Sequence, residues 1–405
     1  MDSVTRRSRR GRSFAETRSA VLDLIRSGGE VTRVELARQA ALTEATISKI
    51  VKDLLADGVI VEAGHARSTG GKRATLLRLA HSTRWAIGVI LDHARIVVVL
   101  CTLDGSRVAS FELPGIGVGE AEAVLHRVAA GVADLLGERK ISSDAVIGIG
   151  VAVAGRRHDH VDLSTTPPDG WWERIAVNER LEELTGLSVL VENDANCAAL
   201  GEFWSGRVPD DRDFIVVYMA DGIGSGIVID GDVYRGRSGH AGEIGHMFVD
   251  PARTPCWCGS LGCLQMVAAP EAIARRACAS PAIRKELKIS KADSLRTAYG
   301  KIGRQADNGN AVAQRLLADA AEFLAVAVVG LVNTFDLDRV VLAGPGFAAA
   351  PTTYETAIRA AVNSTYVRTL HPVEVELRSV DQDIAALGAA SLILHRRLTP
   401  HHTAS

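Results

Sequence analysis

Three cysteines within eight residues, Cys256-Trp-Cys258-Gly-Ser-Leu-Gly-Cys263, begin ten residues after His246, and no other stretch constrains the local fold so tightly. Thiolate and imidazole suit zinc, and three Cys with one His complete a tetrahedral shell with no open position, the structural and not the catalytic pattern. The stretch is turn-rich, with Pro251, Pro255, Gly259 and Gly262, whereas Cys101, Cys197 and Cys278 sit in apolar periodic runs, as small buried hydrophobes do. A structural Zn²⁺ on His246, Cys256, Cys258 and Cys263 would brace a loop that also presents Glu243 and His246 to a small polyhydroxylated ligand. Inert buried cysteines are the plainer alternative. A disulfide ranks third, because Met1 to Arg12 is basic without an apolar segment behind it and resembles no signal peptide, which points to a reducing, cytoplasmic compartment.

At 405 residues the chain has room for two or three domains, at ~150 residues each. No apolar run approaches the ~20 residues of a membrane-spanning helix; the Ala/Val-rich stretch from Phe323 to Val332 is short and bounded by charge. A soluble protein with no membrane partner is expected. The formal net charge of −2 is unevenly placed: residues 1–80 hold 15 Lys/Arg against 9 Asp/Glu, net +6, and the remainder 31 against 39, net −8. A basic head on an acidic body points to a polyanionic partner.

Residues 14–79 read as three helices and a β-ribbon. The first helix, Phe14 to Ser27, gathers Val21, Leu22, Leu24 and Ile25 on one side and stops at Gly28-Gly29. A second begins at Thr32 and turns Val34, Leu36 and Ala37 inward. A third, with Thr43 as N-cap, spaces Ile47, Ile50, Val51, Leu54 and Leu55 three and four residues apart. Its other face offers Ala45, Thr46, Ser48, Lys49 and Lys52, small polar and basic side chains that a major groove accepts. Val59–Glu62 and Thr75–Leu79 alternate like two strands around a basic tip that carries Arg67, Lys72 and Arg73. This is a winged helix-turn-helix pattern. It places Thr43, Ala45, Thr46, Ser48 and Lys49 in one groove of double-stranded operator DNA, with Arg67, Lys72 and Arg73 on the wing toward the minor groove. A protein-interaction module with a solvated charged face is the competing reading. The tail residues Arg6, Arg7, Arg9, Arg10 and Arg12 read as a disordered basic arm adding salt-dependent attraction.

From Trp85 onward, strand-like and helix-like segments alternate. Trp85–Leu91, Arg95–Leu103 and Arg107–Leu113 form a meander, followed by a helix from Glu120 to Leu136 and a strand from Ala145 to Val153. The series recurs in Phe214–Met219, Gly226–Ile229, Val233–Arg235, later helices and Arg339–Leu342. Two copies of one βββαβα plan imply an α/β body of two lobes with a ligand cleft between them.

The runs GHAGEIGHMFVD and CWCGSLGC, VENDANCAALGE at Val191 to Glu202, and DGIGSGIVIDGDVYRG, behind a winged helix, together resemble the ROK (repressor, ORF, kinase) family, which mixes sugar kinases with sugar-responsive transcriptional repressors. The resemblance covers nearly the whole chain after residue 12. It implies an actin-like or hexokinase-like ATPase (RNase H-like) fold of two lobes, with a last helix near Gln382 to Leu398 returning to the first lobe. The expected organisation is a tail over 1–12, a winged helix-turn-helix over 13–82, a first lobe over 83–205 completed by 380–405, and a second lobe with the zinc loop over 206–379. By motif, Asn193 and Asp194 match the family's sugar-binding pair, the Asp serving kinases as general base on the acceptor hydroxyl. A helix N-terminus there favours an anion, although a simple N-cap would place the same residues. Glu243 and His246 match further sugar contacts, and His246 also ligates zinc through one ring nitrogen. Gln265 stands where the family usually has a sugar-contacting Glu, and an amide donates as well as accepts. Thr166 to Trp171 is atypical, with Pro167 where a sugar-binding Asn is expected.

A kinase of the family needs an Asp-x-Gly-Gly-Thr type turn after its first strand, so that backbone N–H groups approach ATP phosphates and Mg²⁺. This chain reads Ile90-Leu91-Asp92-His93-Ala94 there, and Ala220-Asp221 replaces the usual Gly-Thr of the second loop. Two carboxylates thus intrude where a triphosphate would lie. Ala343-Gly344-Pro345-Gly346, the counterpart of the adenosine loop, reads as plain turns. The sequence therefore indicates a non-enzymatic regulator, with no catalytic residue and Asp194 as a ligand contact. In this reading it represses by binding an operator and responds to a sugar or sugar derivative; a homodimer or dimer of dimers is what the resemblance and operator symmetry imply. An active sugar kinase carrying a DNA-binding head, and a DNA-binding protein with a vestigial pocket, are the competing readings.

Overall fold

The structure is a computed structural model that describes residues 14–66, 74–80, 83–117, 120–155, 176–205, 213–379 and 383–398. The basic tail, the wing-tip residues Arg67, Lys72 and Arg73, the Thr166 to Trp171 stretch and Gln382 lie outside the described residues.

The head follows its local signals closely. The first helix, Phe14–Gly28, ends where two glycines remove helix propensity, and it buries Val21, Leu22 and Ile25. Thr32 caps the second helix, Arg33–Ala40, through a reciprocal capping box with Glu35, which satisfies backbone donors at both ends of the box. Thr43 caps the third, Glu44–Ala56, which buries Ile47, Ile50, Val51 and Leu54. Strands Ile60–His65 and Thr75–Leu79 pair antiparallel, and a short strand missed in the sequence, Val31–Thr32, adds to the far edge of Thr75–Leu79. One expectation is corrected. Val34 is 60% exposed, because the capping box sets the phase of the second helix so that Leu36 points to the core and Val34 away from it.

The body repeats one sheet plan twice. In the first lobe the strand order is Arg107–Pro114, Arg95–Cys101, Trp85–Leu91, Val146–Val153, Val189–Asn193, and in the second Asp232–Val233, Ile223–Ile229, Phe214–Met219, Arg339–Ala343, Glu374–Leu377. Each pairs antiparallel through its meander and parallel through the last two strands. The inner parallel strands Val146–Val153 and Arg339–Ala343 are buried on both faces, which explains runs that do not alternate. Helix Ala311–Phe335 is longer than the Phe323–Val332 stretch suggested. By length and composition it is long and apolar enough to cross a membrane, but Leu316, Leu317, Ala320, Leu324 and Val328 make it part of the second lobe's core.

Two helices fill the middle of the body, Asp194–Trp204 and the last one, Ile384–Leu398, which returns to lie on the first-lobe sheet and against its partner helix. Glycine makes this contact possible. A Cβ at Gly88 would stand 1.9 Å from the Ala386 carbonyl oxygen, at Gly150 1.7 Å from that of Ala389, and at Gly388 1.5 Å from that of Cys197. Gly388→Ala should therefore force the two helices apart and cost on the order of 1–3 kcal/mol or more, seen as a clear fall in Tm by calorimetry. Gly137→Ala, on a helix where no atom lies within 4 Å of the new methyl group, should leave Tm unchanged or slightly raised; equal effects of the two substitutions would contradict this packing.

Candidate functional site

The four sequence-flagged ligands meet. Nitrogen or sulfur atoms of His246, Cys256, Cys258 and Cys263 all lie within 4.8 Å of one another. Cys256 Sγ is 3.8 Å from His246 Nδ1, and Cys258 Sγ is 3.7 Å from Cys263 Sγ. A tetrahedral ion with sulfur ligands at ~2.3 Å sets its sulfurs ~3.8 Å apart, so the cluster has the dimensions of a four-coordinate metal centre. Burial and the neighbouring Cys258 and Cys256 sulfurs push the Cys263 thiol up to about 12, and a divalent cation supplies the charge that turns such thiols into thiolates. The loop is shaped by Asp250. Its carboxylate accepts from the backbone of Ala252 and Thr254 and from the Thr254 hydroxyl, which holds it below the usual carboxylate range. Bridges Phe248–Cys263 and Pro255–Leu261 close the hairpin.

Glu243 precedes and His246 ends a 3-10 turn tied to the second-lobe strand Ile223–Ile229, whose Ser225 donates through both backbone N–H and hydroxyl to the Gly242 carbonyl. His246 directs Nδ1 to the cysteine cluster and packs edge-on against Trp257. Gln265 sits beside them, but its amide donates to Cys256 Sγ at 3.4 Å. An ionised glutamate could not donate that bond, so the amide ties this side chain to the Cys/His cluster.

Across the cleft, Asn193 caps helix Asp194–Trp204 by accepting from the backbone of Ala195 and Asn196, while its Nδ2 donates to the Gly155 carbonyl. Its carboxamide is thus largely committed to structure. Asp194 is half-buried at the first position of the helix, and burial pushes its carboxyl up to about 7; the Ala195 N–H opposes this, and the charges of Asp92 and Glu243 add to it. Glu192, one residue ahead of Asn193, receives Arg235 Nε at 2.8 Å as well as the Asn193 N–H and the Asn196 amide. This ion pair joins the lobes behind the cleft. Both partners lie in the quoted motifs, but nothing in the sequence paired them.

The intruding carboxylates are not left to repel one another. Arg296, at the start of helix Leu295–Asp307, places Nη2 2.8 Å from Asp221 and 3.4 Å from Asp92, which also accepts from the Ala94 N–H. One second-lobe guanidinium therefore bridges turns from both lobes. The space beside it, lined in part by Asp92, Arg95, Tyr218, Arg296 and Asp383, amounts to about 50 Å³, against roughly 300–1,000 Å³ for ordinary ligand pockets. Arg296 was invisible as a site residue, because it is one of many cations on an amphipathic helix far along the chain.

On the head, Ala45, Ser48, Lys49 and Lys52 are exposed along one face of the third helix, with Thr46 half-buried beside them. Thr43 Oγ1 is engaged with the Thr46 N–H and hydroxyl. Lys49 Nζ lies 4.9 Å from the Phe14 ring centroid, a cation–π contact that holds it on this face.

Residues 93–396 match the sequence profile of the ROK family, and residues 14–61 that of a winged helix-turn-helix DNA-binding family. The chain belongs to the ROK family. It is similar to the xylose repressor of Caldicellulosiruptor bescii, 25% identical over 392 residues covering 94% of this chain and 95% of that protein. A glucokinase of Halalkalibacterium halodurans is 30% identical over 323 residues, covering 77% of this chain and 96% of the glucokinase. A solved ROK family transcriptional regulator, described as a homologue of the Escherichia coli MLC protein, shares the fold with TM-score 0.72 at 21% identity, covering 96% of this chain and 98% of its own. The glucokinase is thus matched almost whole yet leaves nearly a quarter of this ROK chain uncovered, while the repressor and regulator matches take in the head.

The Asp194 environment sets a pH dependence. Its carboxyl keeps a proton in the folded chain up to about 7, from an ordinary value of 3.8. Between those values the unfolded chain binds fewer protons, so this group's contribution to stability is present at low pH and is lost as pH rises to about 7. Asp194→Asn removes that loss. Its Tm advantage over the wild type should grow between pH ~4.5 and ~7 and level off above, on the order of 1–3 kcal/mol; a difference that stays flat across that range would show that Asp194 ionises normally.

Proposed function

We infer that this ROK-family chain is a sugar-responsive transcriptional regulator: it binds operator DNA through its winged head and a carbohydrate effector through its body, and it transfers no phosphate. The observation that carries the reading is the Asp92–Arg296–Asp221 bridge in a chain that also carries a DNA-binding head. A kinase needs glycine-lined turns open to a triphosphate and Mg²⁺; here carboxylate side chains and a guanidinium take that space. The named repressor relative, matched along nearly its whole length, supports repression as the output.

Asp194, Glu243 and His246 are proposed to hold the sugar from opposite sides of the cleft, with Asn193 and Gln265 setting the surrounding loops. The carboxylates accept from hydroxyl groups, and Asp194 acts as a contact with no reaction to catalyse. His246, Cys256, Cys258 and Cys263 would hold Zn²⁺ as a structural ion; bound, it would lock the loop that aims Glu243 and the second His246 nitrogen at the ligand. A sugar that binds the closed lobes better than the open ones shifts the population toward closure. In a homodimer, closure would change the spacing of two heads on an operator whose symmetry mirrors the protein's. Ala45, Thr46, Ser48 and Lys49 would face the major groove and Arg67, Lys72 and Arg73 the phosphates or minor groove. A DNA partner supports a cytoplasmic location.

Thermal shift with D-xylose, D-glucose, amino sugars and their phosphates tests the pocket. A ligand at 100 times its Kd stabilises the folded state by about 2.7 kcal/mol, so a matching sugar should raise Tm by several degrees, and Asp194→Ala should abolish the rise. ATP-Mg²⁺ should give no shift, and no sugar in the panel should elicit ADP release above background; sugar-dependent ADP release would make the kinase reading correct. Native mass spectrometry of freshly purified protein should show one zinc per chain, and its removal by chelator should reduce the sugar-induced shift. A metal-free chain with the full sugar response would remove zinc from the account.

A further inference from the structure

The helix Asp194–Trp204 begins at the proposed sugar contact and ends under the DNA-binding head, where Arg26 grips it. From the last turn of helix Phe14–Gly28, Arg26 Nη1 donates to the carbonyls of Phe203 at 3.1 Å and Trp204 at 3.2 Å. Its guanidinium carbon lies 4.8 Å from the Phe203 ring centroid and 5.1 Å from that of Trp204. The Arg26 side chain is only 8% exposed, and Asp23 on its own helix lies 3.4 Å from Nε. Carbonyls at a helix C-terminus carry partial negative charge and lack partners within the helix, so a buried guanidinium there is held by charge, hydrogen bonds and aromatic faces together.

The rest of the helix is tied to the first lobe, the second-lobe sheet and the last helix. Trp204 Nε1 donates to the Leu103 carbonyl of the first lobe. Fully buried Glu202 receives Arg378, which follows a second-lobe strand. Gly226 of the second lobe lies so close that a Cβ there would stand 2.4 Å from the Ala195 carbonyl oxygen. Gly388 closes on Cys197 from the last helix. A movement of the second lobe is therefore felt by this helix near its first turn through Gly226 and near its last through Arg378. With 11 residues it spans ~16 Å as a rigid rod, and the apolar core of the head runs on into its buried side chains.

We propose that helix Asp194–Trp204 carries the state of the sugar cleft to the DNA-binding head, with Arg26 as the positioning residue that couples the head to the end of that helix. The proposal rests on the sugar-responsive reading. Arg26→Met keeps the apolar stem and removes the cation; Arg26→Lys keeps the charge but loses the fork that spans two carbonyls.

The test is hydrogen exchange by mass spectrometry on the full chain with D-xylose, D-glucose or N-acetylglucosamine as probe. In the wild type, a sugar that slows exchange at residues 193–197 should also change exchange in residues 14–28 by at least about twofold. In Arg26→Met the slowing at 193–197 should persist while the head response disappears, and Arg26→Lys should restore part of it. A full head response in Arg26→Met, or a wild-type head that ignores a sugar bound at 193–197, overturns the coupling and leaves the regulator reading standing. If none of the probes slows exchange at 193–197 in the wild type, the sugar-pocket reading itself fails and the coupling falls with it. Should Arg26→Met not fold, Arg26→Lys decides alone: an undiminished head response overturns the proposal and a reduced one supports it.

Discussion

The body depends on close backbone contact between two central helices, Asp194–Trp204 and Ile384–Leu398. Gly388 lets the second helix approach the Cys197 carbonyl, and Gly88 and Gly150 let it lie directly on the first-lobe sheet. Protein interiors are close-packed and transmit displacement instead of absorbing it. The first turn of Asp194–Trp204 can therefore serve as one wall of a cleft while its last turn serves as the seat of another domain. Glu192 with Arg235 and Glu202 with Arg378 fasten the same unit to the second lobe. Buried ion pairs of this kind are weak sources of stability, but they fix which surfaces meet.

Charge compensation gives the space between the Asp92 and Asp221 turns its character. Asp92 and Asp221 on facing turns would repel each other and any polyphosphate. A single guanidinium, Arg296, reaches both, so a side chain of the second lobe joins the two turns. The exposure of Arg296 and Asp221, 46% and 56%, keeps the energy of the bridge modest. Its weight lies in occupancy and sign: the space is narrowed to about 50 Å³, and the carboxylates of Asp92, Asp221 and Asp383 outnumber the cations of Arg95 and Arg296.

The local features of the chain were legible where short-range chemistry decides them. Thr32 and Thr43 as caps, the spacing of Ile47, Ile50, Val51 and Leu54, the repeated meander and the Cys/His spacing all signal within a few residues, and the structure has each of them. What escaped the sequence is set by long-range contact. Arg296 meets Asp92 across 204 residues, and Arg26 meets Phe203 across 177; neither arginine carries a motif. Val34 was misplaced because hydrophobicity alone does not fix the phase of an eight-residue helix. Gln265 matches a ligand contact by its family position; that its Nε2 also donates to Cys256 is a geometry that appears only once the hairpin is folded.

A winged head seated on the end of helix Asp194–Trp204, with Arg296 bridging Asp92 and Asp221 between the lobes, fits the proposed regulator and not a phosphate-transferring enzyme. The most direct test is the affinity of the full chain for an operator fragment, selected from genomic DNA by binding, measured by fluorescence anisotropy with and without the sugar that stabilises the protein. The account predicts that saturating sugar changes the operator Kd by about tenfold or more, a coupling of about 1.4 kcal/mol. A Kd that is the same in both conditions, with sugar demonstrably bound, would contradict it.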